Sequence, residues 1–474
     1  MSNLSELLPA GAGAKSASFV ASGTLGSGVT VALKSDGTVE AVKETTTPTG
    51  AGTPVVFESA TTLETATTFD PVEQKVVVFY KDNGNSNYGT AIVGTVTGSS
   101  ISFGTPVIFE SASAQDSQAV YDSVSGKHVV CFNGIYGYTK VGTVSGNSIS
   151  FGTRTQLINR SISEISLAAD ITSGRILFFY QEATFGYTQY SVGTISGTSI
   201  SVGTSTTYSG NGLAGSAAVY DESIGKVIFL YSENPSNNLY GRVCTVSGTS
   251  LSFGSTASFG YGAGGRLTAA YDSANEKTVV FYGNVSGHIG CKVATASGTS
   301  LSIGSEVTFT TDNVIPKATY NSTSGKIVVA YQNYSNSGYG TFRVGTVSGT
   351  SISFGSAIIF ESASSDEMSI ASSSSSGATI VSYQDEGNSN YGTSAVLTIV
   401  NTTTNSADFI GITDQAIADT ATGAVIVQGG VSDKVTGLTT GSDYYVQSNG
   451  SLSTTASSVP AGRALSSTSI LLEG

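Results

Sequence analysis

A short apolar run closed by an aromatic residue recurs along this chain. "VVVFY" ends at Tyr80, and related runs end at Phe132, Tyr180, Tyr231, Tyr282, Tyr331 and Tyr383, at intervals of 52, 48, 51, 51, 49 and 52 residues. A second marker keeps step with it: an aromatic or apolar residue before glycine at Tyr88, Tyr136, Phe185, Tyr240, Ile289, Tyr339 and Tyr391. Around each run such as "GKHVVCF" stand three further strand signals, a short one such as "QAVYDS", a third such as "YTKVGTV" and a fourth such as "SISFGTPVIFE". Such runs bounded by Gly, Ser and Asn predict antiparallel strands. The third and fourth are joined by "SGTS" or "SGNS", a tight hairpin turn. Four antiparallel strands repeated about every 50 residues are the signature of a β-propeller blade, so the pattern predicts seven blades.

The phrase "VGTVSGTSISFG", Val344–Gly355, has five near-copies, yet the seventh third strand, Tyr391–Val400, runs on without a fourth. An orphan, "GTPVVFESA" at Gly52–Ala60, matches the missing piece. The prediction is an all-β, seven-bladed β-propeller of four-stranded antiparallel blades, its ring closed by that N-terminal strand and hiding edges that invite aggregation. The expected boundaries are 1–50, a β module with an Asp36-Gly37 hairpin; 51–404, the propeller; and 405–474, a second small β module with an Asn449-Gly450 turn. A chain entering at a fourth strand and leaving at a third brings both flanks to one face, where the termini are expected to pack as one small β domain. On that face the loops are uniform, as in "DSVSGK" and "DITSGR"; on the other they vary, as in "KDNGNSNYG", "NGIYG" and "SENPSNNLYG". Variable loops on a rigid scaffold are where recognition sits.

Composition narrows the function. Charged residues make up 11% of the chain and the net charge is −13, with no basic stripe to follow a phosphate backbone, so nucleic acid is not an expected partner. Cys131, Cys244 and Cys291 lack zinc or disulfide spacing and read as small buried hydrophobes. The first residues lack a secretory signal's basic start and apolar centre, and no run has the length of a membrane span. The expectation is synthesis in a cytosol, without membrane insertion.

At the flanks, "GLTTGSDYYVQSNGSLSTT…VPAGRALSSTSILL", Gly437–Leu472, and "SNLSELLPAGAG…FVASGTLGSGVTVALKSDGTVEAV" resemble small modules of tailed-bacteriophage virion proteins, of the tail-fibre or head-fibre and decoration type. The resemblance covers about a quarter of the chain. It implies a structural protein in the virion, assembled in the host cytoplasm, present as a homo-oligomer or in many copies, and held to other virion proteins through its terminal modules.

Candidate chemistry is sparse. Asp70, Asp122, Asp170, Asp221 and Asp272 recur once per unit, with Asn321 and Ser373 at the matching sites, and a regularly recurring Asp before "SxSG" reads as a turn-holder. The chain has no Trp for a sialidase-type box, and His128 and His288 fall in different units. No catalytic residue, metal or cofactor is predicted. Ligand-binding candidates lie beside the variable loops: Asn87, Tyr88, Tyr136, Tyr240, His288, Tyr339, Asn390 and Tyr391, aromatic faces and amides that suit carbohydrate. Packing against a neighbouring blade is the competing role for the aromatic-glycine marker. The twin loops "DNGNSNYGT" and "DEGNSNYGT" in units one and seven form a candidate paired subsite. The expected function is a non-enzymatic fibre or adhesin binding a host-surface glycan or protein. The alternatives are a capsid decoration or tail scaffold protein and, third, a glycan hydrolase.

Overall fold

In the computed structural model, which describes residues 15–47 and 49–473, every named strand pairs antiparallel. The chain divides into two compact units, Pro48–Ile399 and Met1–Thr47 with Val400–Gly474.

Within the larger unit, each predicted quartet is a sheet. In blade 2, Gln115–Asp122, Lys127–Asn133 and Gly137–Ser145 pair in order. The predicted fourth strand is two pieces, Ser148–Phe151 and Thr155–Ile158, both paired to the third. The described residues contain seven such sheets. The closing strand is where the orphan sequence placed it: Val55–Asp70 begins by pairing with Tyr391–Thr398 of blade 7 and ends by pairing with Lys75–Asp82 of blade 1. A cavity on the axis is lined from all seven first strands, by Ala66, Gln118, Ser166, Ala217, Thr268, Lys317 and Ser369 among others.

The second strands are the core. Val76 to Tyr80 and Ile176 to Tyr180 are fully buried, because each blade packs against a neighbour on both faces. Phe79 of blade 1 shares a cluster with Phe132 of blade 2, and Phe281 of blade 5 with Tyr331 of blade 6. Each such side chain contributes about 1.5–3 kcal/mol of burial.

Blade-to-blade contact also explains why one phrase recurs. A β-carbon on Gly152, at the end of "SISFG" in blade 2, would stand 1.7 Å from the Thr198 carbonyl oxygen in the "SGTS" turn of blade 3. Gly304 of blade 5 stands in the same relation to Thr350 of blade 6, at 2.1 Å. Only glycine lets the two backbones approach so closely. Gly355 of blade 6 faces the blade without that turn, and its nearest neighbour would be 3.7 Å away.

The recurring Asp residues hold turns, as their spacing predicts. Asp70 Oδ1 accepts the amides of Val72 and Glu73 at 2.9 and 3.0 Å, and Asp170 Oδ1 those of Thr172 and Ser173 at 3.1 and 3.2 Å. Asn321 does the same for Ser324 at 3.0 Å.

In the smaller unit, strands of the two termini share one sheet, in the order Ser16–Val20, Thr422–Val427, Phe409–Thr413, Thr30–Leu33 and Val39–Ala41. Gly37 turns its hairpin with φ +81. A second sheet contains Asp443–Val446 and Leu452–Ser453, joined through Gly450 at φ +84, together with Pro460–Ala464 and Ile470–Leu472. Ala32, Ile412 and Ile426 from the first sheet and Val446, Ile470 and Leu472 from the second share one core. No described helix is long and apolar enough to cross a membrane.

Candidate functional site

The sequence-predicted residues sit at the tops of third strands, spread over six blades. Tyr88 and Tyr391 open their strands opposite Asp82 and Asp385, Tyr339 opposite Asn333, and Tyr136 directly precedes its strand. The glycine that follows avoids a clash. A β-carbon on Gly89 or Gly392 would meet the rings of Phe109 or Phe57 at 2.5 Å.

The aromatic-glycine marker is not one structural position, which corrects the sequence register. Tyr80 pairs with Thr90 in blade 1, whereas the matching Tyr231 pairs with Tyr240 itself in blade 4 and Tyr282 with Gly290 in blade 5. Relative to Tyr88 the marker is displaced by one residue at Ile289, which turns its side chain to the other face, and by two at Tyr240, which keeps the face but carries the ring further into the strand. Tyr240 stands where Thr90 does in blade 1 and packs against a buried cluster that holds Tyr231, ring centroids 5.7 Å apart, and the Tyr88 position is taken by Asn238 in blade 4 and His288 in blade 5. In blade 3 the third strand begins at Thr188, which leaves Phe185 in the loop and Tyr187 at the equivalent site.

Asn87 and Asn390 both adopt φ +62. Their carbonyls accept the amides of Ala114 and Thr62, at 3.3 and 3.0 Å, where the next blade begins. The twin loops fold alike, each with a 3-10 turn capped by Asp82 or Asp385. Their shared sequence therefore has a structural cause, and none of the eight residues lines the cavity at the mouth of the channel.

That mouth gathers a different set. Six residues before each recurring Asx or Ser stand Glu64, Asp116, Glu164, Gly215, Arg266, Ile315 and Glu367. The first strand bulges here, and Glu64, Asp116, Glu164 and Glu367 have φ of +53, +51, +50 and +51, rare for residues with side chains. A cavity of about 250 Å³ is lined by Glu64, Asp116, Asp366 and Glu367 together with Lys317, Gln118, Gln332, Ser117 and the exposed Tyr334. Tyr334 lies in the loop between the second and third strands of blade 6, so the cavity opens among the variable loops. The opposite opening is lined by Tyr121, Tyr220, Tyr271 and Tyr320, near the Asp turns.

The carboxylates differ in how they are held. Glu367 accepts the Glu64 amide at 3.0 Å, and Glu64 in turn accepts the Asp116 amide and the Lys81 ammonium, the latter at 2.9 Å. Asp116 stands exposed at the lip, yet the surrounding wall and then the Glu64 charge raise its pKa. Burial raises Glu164, with Asp116 adding to it, and burial also raises Glu367. Lys317 projects from blade 6, where burial lowers its pKa against the opposing pull of Glu367, Asp366 and Glu164. Unlike groups with perturbed protonation, converging in one cleft, mark a functional-site candidate. Aligning the repeats on the recurring Asp would have found it. The signal is a position before the recurring Asx or Ser that is acidic in four blades and Gly, Arg or Ile in the other three.

His128, which falls in a different unit from His288, is buried, with Nδ1 2.9 Å from Thr68 Oγ1 and Nε2 3.4 Å from Asp70. Burial lowers its pKa, so it is a neutral bridge between blades 1 and 2. Among the described residues no group of His, Cys, Asp and Glu is arranged to hold a metal.

No protein-family model and no curated protein sequence matches the chain. Among solved structures it is similar to the NanB sialidase from Streptococcus pneumoniae, at 13% identity and a TM-score of 0.43 over 73% of this chain and 69% of that one. It is similar to Sqt1 from Chaetomium thermophilum, at 12% identity and 0.44 over 71% and 84%. A mutant of the Aleuria aurantia lectin AAL in complex with Fucalpha1-6GlcNAc is similar at 14% identity and 0.39 over 63% and 96%. These likenesses are of fold, and the strand pairing defines an all-β protein with a β-propeller and a small β unit built from both termini.

Proposed function

We propose that this is a non-enzymatic binding protein of a tailed-phage virion, a fibre or adhesin whose variable face takes a host-surface glycan at the mouth of the central channel. One observation carries the reading: Tyr334, 55% exposed, borders a cavity lined by the amides of Gln118 and Gln332 and by several carboxylates. An open aromatic face beside hydrogen-bonding groups is the chemistry that sugar rings require. The terminal unit, whose sequence resembles virion modules, is the proposed attachment to other virion proteins. Many copies on a particle would multiply weak single contacts into tight adhesion. The test is binding of the tagged full chain to a glycan array and to cells of candidate hosts, with Tyr334→Ala as control. Saturable binding lost in that variant supports the reading, and binding indifferent to Tyr334 refutes it.

One observation favours the second reading, glycan hydrolysis. Glu64, paired to Lys81 at 2.9 Å, stands beside Asp116, whose pKa is raised, two carboxyls in unlike environments. Release of reducing sugar by the wild type and not by Asp116→Asn would establish it.

A further inference from the structure

The ring of channel-mouth carboxylates is incomplete, and the gap has a shape. Blades 7, 1, 2 and 3 contribute Glu367, Glu64, Asp116 and Glu164, while blade 4 contributes Gly215 at the same position and Gly265 adjoins it from blade 5. Where those side chains are missing, a cavity of about 170 Å³ opens beside Asp116 and Glu164. It shares Asp116, Gln118 and Lys317 with the larger mouth cavity.

The charges do not cancel there. Lys81 is ion-paired with Glu64 at 2.9 Å and acts on Asp116 only as the weakest of its influences, Lys317 acts on Glu367 and Asp366 before Glu164, and the Arg266 charge acts on Tyr334. Asp116 and Glu164 remain in excess. An independent sign of a missing partner stands next to them: Ser117 is 1% exposed, lines the mouth cavity, and its hydroxyl has no hydrogen-bond partner. A buried hydroxyl without a partner calls for an explanation, and a ligand in the cavity it lines is one.

We infer that the mouth is a subsite for a protonated primary amine on a hydroxylated ligand, of the amino-sugar class, with Asp116 and Glu164 as its carboxylate partners. An ammonium group brings the missing positive charge and three donors. Ser117 and Gln118 meet the hydroxyls, and the Tyr334 ring offers a face to the cation or the sugar. Both cavities are smaller than the roughly 300–1,000 Å³ of pockets for drug-sized ligands, which fits one sugar ring. The inference rests on the glycan-binding reading and names its ligand class.

Calorimetric titration of the full chain at about pH 6, where a primary amine is protonated, compares D-glucosamine, N-acetyl-D-glucosamine, D-glucose and putrescine. The expected result is glucosamine binding at least tenfold tighter than either neutral sugar, weakened by added salt. Asp116→Asn/Glu164→Gln is expected to abolish the preference, and Ser117→Ala to weaken glucosamine several-fold; a cooperative melt no lower than that of the wild type certifies each fold. Equal binding of the three sugars overturns the amine site and leaves the glycan reading standing. Putrescine binding without any sugar overturns the sugar carrier and, at this mouth, the glycan reading. Binding of none overturns both.

Discussion

The first strands carry acidic residues at two positions six residues apart, and the two sets behave differently. At one position Asp70, Asp122, Asp170, Asp221 and Asp272 repeat with little change and spend their oxygens on the backbone amides of their own turns. At the other, Glu64, Asp116, Glu164 and Glu367 alternate with Gly215, Arg266 and Ile315, crowd one another, and have at Asp116 and Glu164 carboxylates whose protonation is held abnormally high. A residue repeated in every blade answers a need that every blade has, which is to fold. A position that changes around the ring is free of that need and open to recognition.

The largest effect that would break this contrast lies in the repeated glycines. Gly152→Ala places a β-carbon 1.7 Å from a backbone carbonyl oxygen. It is expected to cost about 1–3 kcal/mol, as overpacking does. Gly355→Ala, with its nearest neighbour at 3.7 Å, is expected to stay within about 0.5 kcal/mol. Urea denaturation of the two variants decides, and equal losses would contradict the account of the recurring phrase.

Next in size are the two acidic sets themselves. Asp170→Ala leaves the amides of Thr172 and Ser173 without their acceptor and is expected to cost about 1–3 kcal/mol. Glu164→Gln removes a charge that burial disfavours and is expected to leave neutral-pH stability unchanged or raised. Because the folded-state pKa of Glu164 lies above the unfolded value, its contribution is full below about pH 4 and is lost as pH rises through the folded value. The advantage of the Gln variant should therefore grow from pH 4 to pH 7 in thermal melts.

His128 sharpens the comparison from the other side. Its pKa is lowered in the fold, so its contribution is full above about pH 6.5 and is lost as pH falls toward the folded value. His128→Phe, set among the rings of Phe79 and Tyr121, is expected to lose less stability between pH 7 and pH 5 than the wild type. A steeper acid loss in the variant would show that the burial of His128 is not the cause.

The smallest expected effect on folding is at Tyr334, whose ring is half out in solvent. Tyr334→Ala should melt within a degree or two of the wild type while losing glycan binding. Unfolding of this variant would make Tyr334 a packing residue.

Repetition decides how much of this was legible in the sequence. The closing strand could be placed because Gly52–Ala60 copies a segment whose other copies sit in known order, and the pairing of Val56 with Thr393 follows. The turn-holding Asp residues were legible for the same reason. Register was harder. Tyr240 carries the same two-letter marker as Tyr88, but the "SENPSNNLYG" loop before it shifts the marker two residues into the strand, and the flanking letters do not show the slip. The mouth itself was missed because its residues share no letter. Glu, Asp, Gly, Arg and Ile alternate at one position, and only the bulged first strands bring them to a common axis.

The most direct test of the central claim, that the varied end of the first strands is the recognising one, is a glycan-array measurement on three full-chain proteins: wild type, Tyr334→Ala and Val72→Ala, the last altering an exposed residue in the turn after Asp70. The account predicts binding by the wild type and by Val72→Ala, and none by Tyr334→Ala. Binding that survives at Tyr334 and fails at Val72 would place recognition on the opposite face and contradict it.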